Sequence, residues 1–376
     1  MIRKNLTFLV INKKVVNVFL FNHLKLLRKY YQINFISPIN SKHIKFDNHF
    51  YQNSYINLDR KFNLLIFLSN FFHLMKFIKN NKNNLYISIH PKNGLLLSIC
   101  KYFYKFTSLH IITGQLWVNM KGLKKTFFKI IDSIIFKNNN YLLVDSKSQI
   151  SFLIKNRYFK YNFDCMNNGS ISGVDIKKFK KSKFNKRIFL KKNNLNSNSK
   201  FILFVGRINL SKGIVLLLDA FNKLIQKESN YYLLIVGNEE IIFHDLIKKY
   251  SDQLREKVLK IDHTDNISFF YSIADIFCLP SYREGFGLSV IEASASNLPV
   301  IVSDIYGLND CMQEKITGLK FKSGSYLSLY NKINFLINNP SKLIKYGKQG
   351  KIFVSKNFNY RDVAKFFLEY INKINF

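Results

Sequence analysis

The sequence predicts an α/β protein made of two doubly wound, Rossmann-like domains that face each other across a cleft. Three observations predict this. Short apolar runs of strand length alternate with longer stretches of helical period from end to end. A polar tract interrupts that alternation once, near the middle. The chain has 376 residues, 47% of them hydrophobic, which suits two packed cores and excludes a disordered basic protein.

In the first half the strand candidates are Leu6 to Val10, Ile33 to Ile36, Leu85 to Ile89, Leu109 to Ile112 and Tyr141 to Val144. Helical periodicity lies between them, as in Val18 to Tyr30, with Phe19, Leu20, Leu24 and Leu27 on one face, and in Lys124 to Ile135. The run Phe62 to Met75 has no formal charge, but as a helix it spans about 21 Å, short of the roughly 30 Å of a hydrocarbon core. It could lie against a membrane but not cross one. The apolar run after Met1-Ile2-Arg3-Lys4 is too short for a signal sequence, and Lys13-Lys14 follow it. The tract Lys191 to Lys200, rich in Asn and Ser, reads as an exposed linker or loop. Beyond it come strands at Phe201 to Val205, Tyr231 to Val236, Ile276 to Leu279 and Val300 to Val302, alternating with helices at Ile214 to Ile225, Ile241 to Tyr250 and Leu288 to Ala295. The expected domains are 1–188 and 189–360, with a last helix over 361–376 returning toward the first. Ligands of such sheets bind at the carboxyl ends of strands.

Charge is lopsided along the chain. The formal net charge is +35; residues 1 to 200 carry 36 basic and 6 acidic side chains, and residues 201 to 376 carry 22 and 17. Abundant Lys, Asn, Ile, Phe and Tyr point to a compositional bias like that of AT-rich genomes, so part of the basicity needs no functional cause. A nucleic-acid binder would interleave cations with exposed aromatics, whereas these aromatics fall mostly on apolar faces, so no nucleic-acid partner is expected. Cys100, Cys165, Cys278 and Cys311 stand far apart with no C-x-x-C pair, which favours reduced thiols over a disulfide framework or zinc site.

The richest chemistry lies in Pro280-Ser281-Tyr282-Arg283-Glu284-Gly285-Phe286-Gly287, between a buried strand and the helix that opens near Leu288. Glycines there permit close backbone approach, and the first-turn N–H groups of the helix suit anionic or strongly polar groups. Glu284 in the turn and Glu292 in the helix can accept from hydroxyls at two points along an extended ligand, such as sugar and ribose hydroxyls. After the first strand of the second half, Gly206-Arg207 and Lys212-Gly213 place two cations five residues apart before a helix, which suits a diphosphate. It is not a P-loop, because Ser211 stands where that motif needs glycine. The chain has no Asp-x-Asp, the pair that commonly holds a divalent metal on a nucleotide diphosphate, so no metal is expected and the cations would stabilise the leaving diphosphate. In the first half, Thr113-Gly114-Gln115-Leu116-Trp117 and Asn168-Gly169-Ser170-Ile171-Ser172-Gly173 each follow a strand.

These residues together resemble the retaining glycosyltransferases of family 4, which have the GT-B fold. The resemblance rests on Glu284-x7-Glu292 around Gly285-Phe286-Gly287, on Gly206-Arg207 with Lys212-Gly213, on Ala274-Asp275 through Pro280-Ser281, and on Leu298-Pro299-Val300 and Thr317-Gly318-Leu319. Thr113 to Trp117, Asp145-Ser146 with Gln149, and Gly169 to Asp175 look like bacterial members that build capsule, O-antigen or exopolysaccharide. It implies that Arg207 and Lys212 bind the donor diphosphate, with Gly206 beside them, and that Glu284 contacts the transferred sugar. Gly285, Phe286, Gly287 and Leu288 would line the same nucleotide-sugar site, the first three through backbone N–H groups. Glu292 would accept from the ribose, and Thr264 to Ile267 would border the base. Thr113, Gly114, Gln115 and Trp117 would lie on the acceptor side. Many relatives have a His after an N-terminal strand near the acceptor; here Thr113-Gly114 takes that place, and His110 just upstream is the remaining catalytic candidate. The implied protein is a metal-independent, cytoplasmic enzyme that needs no cofactor beyond its UDP-sugar donor. It would act on a polyprenyl-diphosphate-linked saccharide and touch the inner face of the plasma membrane peripherally, through its basic half. A sugar-nucleotide epimerase of the same fold is the alternative enzyme.

Overall fold

The computed structural model describes residues 3–11, 15–37, 51–55 (backbone only) and 63–376. Met1, Ile2, Lys13, Lys14 and Phe62, which entered the sequence reading, lie outside them. The chain divides into two units, one of Met1–Gly173 with Tyr360–Phe376 and one of Val174–Asn359.

In the first unit β1 (Asn5–Leu9) leads through a single π turn at Val16–Leu20 into α1 (Phe21–Leu27). There follow β2 (Gln32–Ser37), β3 (Tyr51–Tyr55), α2 (Leu64–Asn80), β4 (Leu85–Ser88), α3 (Pro91–Cys100) and β5 (Thr107–Ile112). Then come α4 (Gly122–Asn138), β6 (Tyr141–Val144), α5 (Lys147–Leu153) and the short β7 (Asp164–Cys165). The strands form one parallel sheet in the order β3-β2-β1-β4-β5-β6-β7. Both faces are covered, so the strands read as continuous apolar runs instead of alternating ones. Leu6, Phe8, Ile33, Phe35, Leu85 and Ile87 pack with Leu24 and Leu27 of α1 on one face. Leu9, Ile36 and Tyr86 pack with Leu74 and Ile78 of α2 and with Leu96 and Leu97 of α3 on the other. The Asn63 side chain starts α2 by accepting from the N–H groups of Leu65 and Ile66.

In the second unit α6 (Lys183–Lys192) precedes β8 (Lys200–Val205), α7 (Ile214–Ile225), β9 (Tyr231–Val236), α8 (Phe243–Ile247), α9 (Asp252–Lys257) and β10 (Val258–Ile261). The remainder is α10 (Ile267–Ile273), β11 (Ile276–Leu279), α11 (Leu288–Ala295), β12 (Val300–Ser303), β13 (Gly318–Phe321), α12 (Tyr326–Ile337) and α13 (Pro340–Asn357). Its parallel sheet runs β10-β9-β8-β11-β12-β13, so the order reverses between β8 and β11. That reversal is where open α/β sheets bind ligands. The chain then returns to the first unit as α14 (Tyr360–Asn372), whose Val363, Phe367, Leu368 and Ile371 join the core beside α1. Tyr370 donates to Asp164 Oδ2 at 2.7 Å and Asn372 Oδ1 accepts from Tyr31 at 2.7 Å, which ties the C-terminal turn of that helix to the rest of the first unit.

The units divide at Gly173/Val174, not at residue 188. Residues 174–192 stay with the second unit for a packing reason. The Phe179 ring meets Tyr271 edge-on at 5.4 Å, Ser182 N–H donates to Ser272 O at 3.1 Å, and Lys186 pairs with Asp275 at 2.7 Å. The Asn- and Ser-rich tract is therefore a loop between α6 and β8 inside one unit, and Lys191 and Lys192 belong to the helix before it. Moving these lysines changes the charge contrast. Counted by unit, the first carries 29 basic and 7 acidic side chains, net +22, and the second 29 and 16, net +13. The helix expected over Ile241 to Tyr250 is only Phe243–Ile247, and Ser251 caps a separate short helix after it.

Candidate active site

At the reversal point of the second sheet, two loops are locked together by backbone. Gly213 has φ +73°, and a Cβ added there would lie 2.0 Å from the Pro280 carbonyl oxygen. Tyr282 N–H donates to Ser211 O at 2.9 Å. Asn209 shapes the first loop: its Oδ1 accepts from Lys212 N–H at 2.9 Å, closing a short turn over Leu210–Lys212. The consequence is that Lys212, from the end of β8, reaches Glu284, from the end of β11, with Nζ to Oε1 at 2.5 Å. The fully buried Ser281 donates its hydroxyl to the same Glu284 oxygen at 2.7 Å. Gly307 lets the loop after β12 press against this segment, because a Cβ there would sit 2.0 Å from Glu284 O.

Arg207 stands at the rim, 44% exposed along its side chain, with its guanidinium on both oxygens of Glu240 at 2.7 and 2.9 Å. Asn209 Nδ2 also donates to Glu240, at 2.7 Å. Gly206 packs against the Phe204 ring and the Lys212 stem. Gly287 opens α11, and its missing side chain leaves room for Leu308 and Cys311; Phe286 meets the Phe358 ring edge-on at 5.3 Å. Leu288 is the first residue of the helix and is partly buried. In its first turn Leu288 N–H donates to Phe286 O at 3.0 Å, and the Val290 and Ile291 N–H groups donate to Gly287 O at 3.0 and 3.2 Å. Glu292, one turn on, accepts from the buried Tyr271 hydroxyl at 2.9 Å, and burial pushes its carboxyl up to about 7. Thr264 and Ile267 lie where β10 hands over to α10; Thr264 Oγ1 accepts from Asn266 N–H at 3.1 Å and Ile267 opens the helix. The structure thus brings Gly206, Lys212 and Glu284 together, with Arg207, Gly287 and Glu292 on neighbouring elements of the same unit.

The first unit treats its candidates differently. His110 is 2% exposed inside β5; its Nδ1 lies 2.8 Å from the Ser88 hydroxyl, and Gly94 is the only size that fits over the ring, since a Cβ would come within 2.6 Å of it. Burial, then the charge of His90, pulls it down to about 3, so it stays neutral and enclosed. That placement is structural and corrects its assignment as a catalytic residue. Trp117, 1% exposed, is likewise a core residue and not an acceptor platform: it stacks on Phe152 at 5.4 Å and donates to Asp132 Oδ2 at 2.7 Å. Burial pushes Asp132 up to about 7 against that hydrogen bond and the Lys129 charge. Gln115 is also buried, and its Nε2 donates to the Gln149 side-chain oxygen at 3.1 Å, which also accepts from Gly114 N–H at 2.9 Å. Only Thr113, exposed, and Gly114, with φ +94°, present surface at the end of β5. Cys100, Cys278 and Cys311 are buried, Cys165 is half-buried, and none is in a disulfide.

Reading the sequence missed Ser281, Glu240, Asn209, Tyr271 and Lys178 as partners of the site. Ser281 stood inside a quoted motif and could have been found by its i to i+3 spacing from Glu284. Asn209 likewise stands three residues before the Lys212 N–H that it accepts from, while Glu240, Tyr271 and Lys178 act across separate elements, which no local pattern reveals.

A family model described as glycosyl transferases group 1 matches residues 185–353, most of the second unit. The capsular polysaccharide biosynthesis glycosyltransferase CapM of Staphylococcus aureus is 28% identical over 275 residues, 72% of this chain and 71% of that protein. The N,N'-diacetylbacillosaminyl-diphospho-undecaprenol alpha-1,3-N-acetylgalactosaminyltransferase of Campylobacter jejuni is 26% identical over 76% of each chain. Among solved structures, Anabaena HepE in complex with UDP and glucose superposes with a TM-score of 0.80 at 16% identity, over 99% of this chain and 100% of that one. These matches favour a transferase over the epimerase alternative. With its two parallel sheets and the glycosyl transferases group 1 match over most of the second unit, the chain has the GT-B fold and resembles the bacterial glycosyltransferases of surface-polysaccharide biosynthesis.

Proposed function

We propose that the protein transfers a sugar from a UDP-sugar to a lipid-linked saccharide acceptor, with retention of anomeric configuration and without a metal. The observation that carries the donor half is the meeting of Lys212 and Glu284 at the sheet's reversal point, beside the N-terminus of α11. Lys212 and Arg207 take the diphosphate, and their charge stabilises the negative charge that grows on it as the C1–O bond breaks. On binding, Lys212 exchanges part of its contact with Glu284 for phosphate oxygens, which leaves the carboxylate to accept from sugar hydroxyls. Glu292 accepts from the ribose. The acceptor hydroxyl oxygen bonds to C1 on the face that the diphosphate leaves, and its proton passes to the departing phosphate oxygen, giving UDP and the extended acceptor. No enzyme nucleophile enters. UDP is supported by the ligand of HepE, and the lipid-linked acceptor by the name of the Campylobacter relative.

The test is UDP release from a panel of UDP-sugars with and without a polyprenyl-diphosphate saccharide. Release that requires the acceptor and persists in EDTA is expected. Release abolished by EDTA and restored by a divalent cation would contradict the metal-free reading.

Contact with an anionic membrane is part of the same proposal. Leu123, Phe127 and Ile130 are 90%, 59% and 54% exposed on one stripe of α4, next to Lys121 and Lys124. Each cation near anionic lipid is worth about 1 kcal/mol, and apolar insertion adds to it. Among the described residues no helix is long and apolar enough to cross a membrane. Changing Leu123 and Phe127 to Ser with Lys121 and Lys124 to Glu should reduce cosedimentation with anionic vesicles at least several-fold and leave UDP affinity unchanged. Unaltered cosedimentation would leave the lysine content as compositional bias.

A further inference from the structure

The Glu292 carboxyl has a dedicated partner that the donor chemistry described above does not use. Tyr271 on α10 is fully buried, and its hydroxyl lies 2.9 Å from Glu292 Oε2 and 3.2 Å from Ser289 O. Its ring is clamped by Phe179 at 5.4 Å and Phe277 at 5.9 Å, so the hydroxyl has one place to point. Lys178, in the segment before α6, is near enough for its charge to act on Glu292. The packing of α11 on α13 runs through Ser294 against Gly350, further along the helix. Tyr271 therefore meets this carboxyl from outside its own helix, and the charge of Lys178, whose Nζ lies 5.8 Å from the Phe179 ring that clamps Tyr271, acts on it from a separate element.

We propose that Tyr271 is a positioning residue: its hydroxyl fixes Glu292 with one oxygen turned to the ligand, and with Lys178 it makes the site selective for ribonucleotides over 2′-deoxyribonucleotides. This rests on the reading of Glu292 as the ribose acceptor. Ribose hydroxyls donate, so they bind the ionised carboxyl. A hydrogen bond to the ionised form and a nearby cation both hold it ionised, while burial opposes them and leaves Glu292 up at about 7. Affinity for a ribonucleotide should then rise with pH through about 7, and removing either support should move that rise upward. A midpoint moved by one unit is about tenfold in affinity at a pH well below it.

The experiment is calorimetric titration of the whole protein, wild type, Tyr271→Phe, Lys178→Gln and Glu292→Gln, with UDP and with 2′-deoxy-UDP from pH 6.0 to 8.5. Thermal denaturation checks each fold. The wild type should prefer UDP by about tenfold or more near pH 8. Tyr271→Phe should weaken UDP about tenfold at pH 6.5 and less than about threefold at pH 8.5, with 2′-deoxy-UDP changed less. Lys178→Gln should shift the profile the same way and keeps the proposal testable if the Phe variant does not fold. Glu292→Gln should abolish both the preference and the part of the pH dependence that does not belong to the diphosphate. If Glu292→Gln keeps the preference, the ribose reading fails. If it loses the preference while Tyr271→Phe and Lys178→Gln keep the wild-type profile, the positioning inference fails alone.

Discussion

Lys212→Ala is expected to lower turnover by about 10²- to 10³-fold, the size of effect seen when one preorganised donor to a developing oxyanion is removed. The reason is geometric. The backbone lock at Gly213 and Pro280 sets Lys212 at the β8/β11 reversal before any ligand arrives, so little reorganisation remains to be done during reaction. Glu284→Ala should cost a similar factor, mostly in turnover when the contact tightens with charge on the sugar. The two residues touch at 2.5 Å, so the double variant should lose much less than the product of the single losses. Acceptor-dependent UDP release measures all three. Turnover within a few-fold of wild type in either single variant would sink the assignment. Because Lys212→Ala leaves Glu284 without its cation, thermal denaturation of each variant separates lost chemistry from lost fold, and Glu284→Gln serves as the variant that keeps shape.

Gly213→Ala is the second large effect, and it falls on stability and activity together. A residue with a Cβ pays about 1 kcal/mol or more at φ +73°, and here the new atom would also sit 2.0 Å from a backbone carbonyl that cannot rotate away. A total loss of roughly 2–4 kcal/mol is expected, read as a lower midpoint for the second unit in thermal denaturation. The displaced loop carries Lys212, so UDP affinity should fall by tenfold or more. Gly122→Ala makes the control: φ is +56° there, yet nothing lies within 4 Å of an added Cβ. It should cost about 1 kcal/mol and leave UDP binding untouched.

Much of this was legible in the chain itself, for reasons that differ by element. Strands such as Phe201 to Val205 and Leu109 to Ile112 are buried on both faces, so their apolar runs stand out without any partner information. The short strands Val258–Ile261 and Asp164–Cys165 lie at sheet edges, bury little and leave no such mark. The unit boundary was misread because a Lys- and Asn-rich tract resembles a linker. What decides it is the docking of Phe179 and Phe189 on rings more than ten residues away. For the candidate site, Gly206-Arg207, Lys212 and Glu284 stand out in the sequence because each lies in a loop just after a strand, whereas the meeting of Lys212 with Glu284 across 72 residues leaves no mark there. The burial of His110 and Trp117 leaves none either, since a strand-end motif shows the residues but not which way they turn. His110 turns under Gly94, and Trp117 turns onto Phe152 and Asp132. The charge contrast along the sequence also shrinks to +22 against +13 once the lysines of α6 are counted with the unit they pack in. The exposed stripe of α4 therefore carries more of the membrane argument than net charge does.

In the proposed reaction the end of β8 and the end of β11 form one diphosphate site. Titration of UDP and of uridine into wild type and Lys212→Ala, in EDTA, tests it most directly. One UDP per chain is expected, bound at least tenfold more weakly by the variant, with uridine bound equally by both. Equal UDP affinity in the two proteins would contradict it.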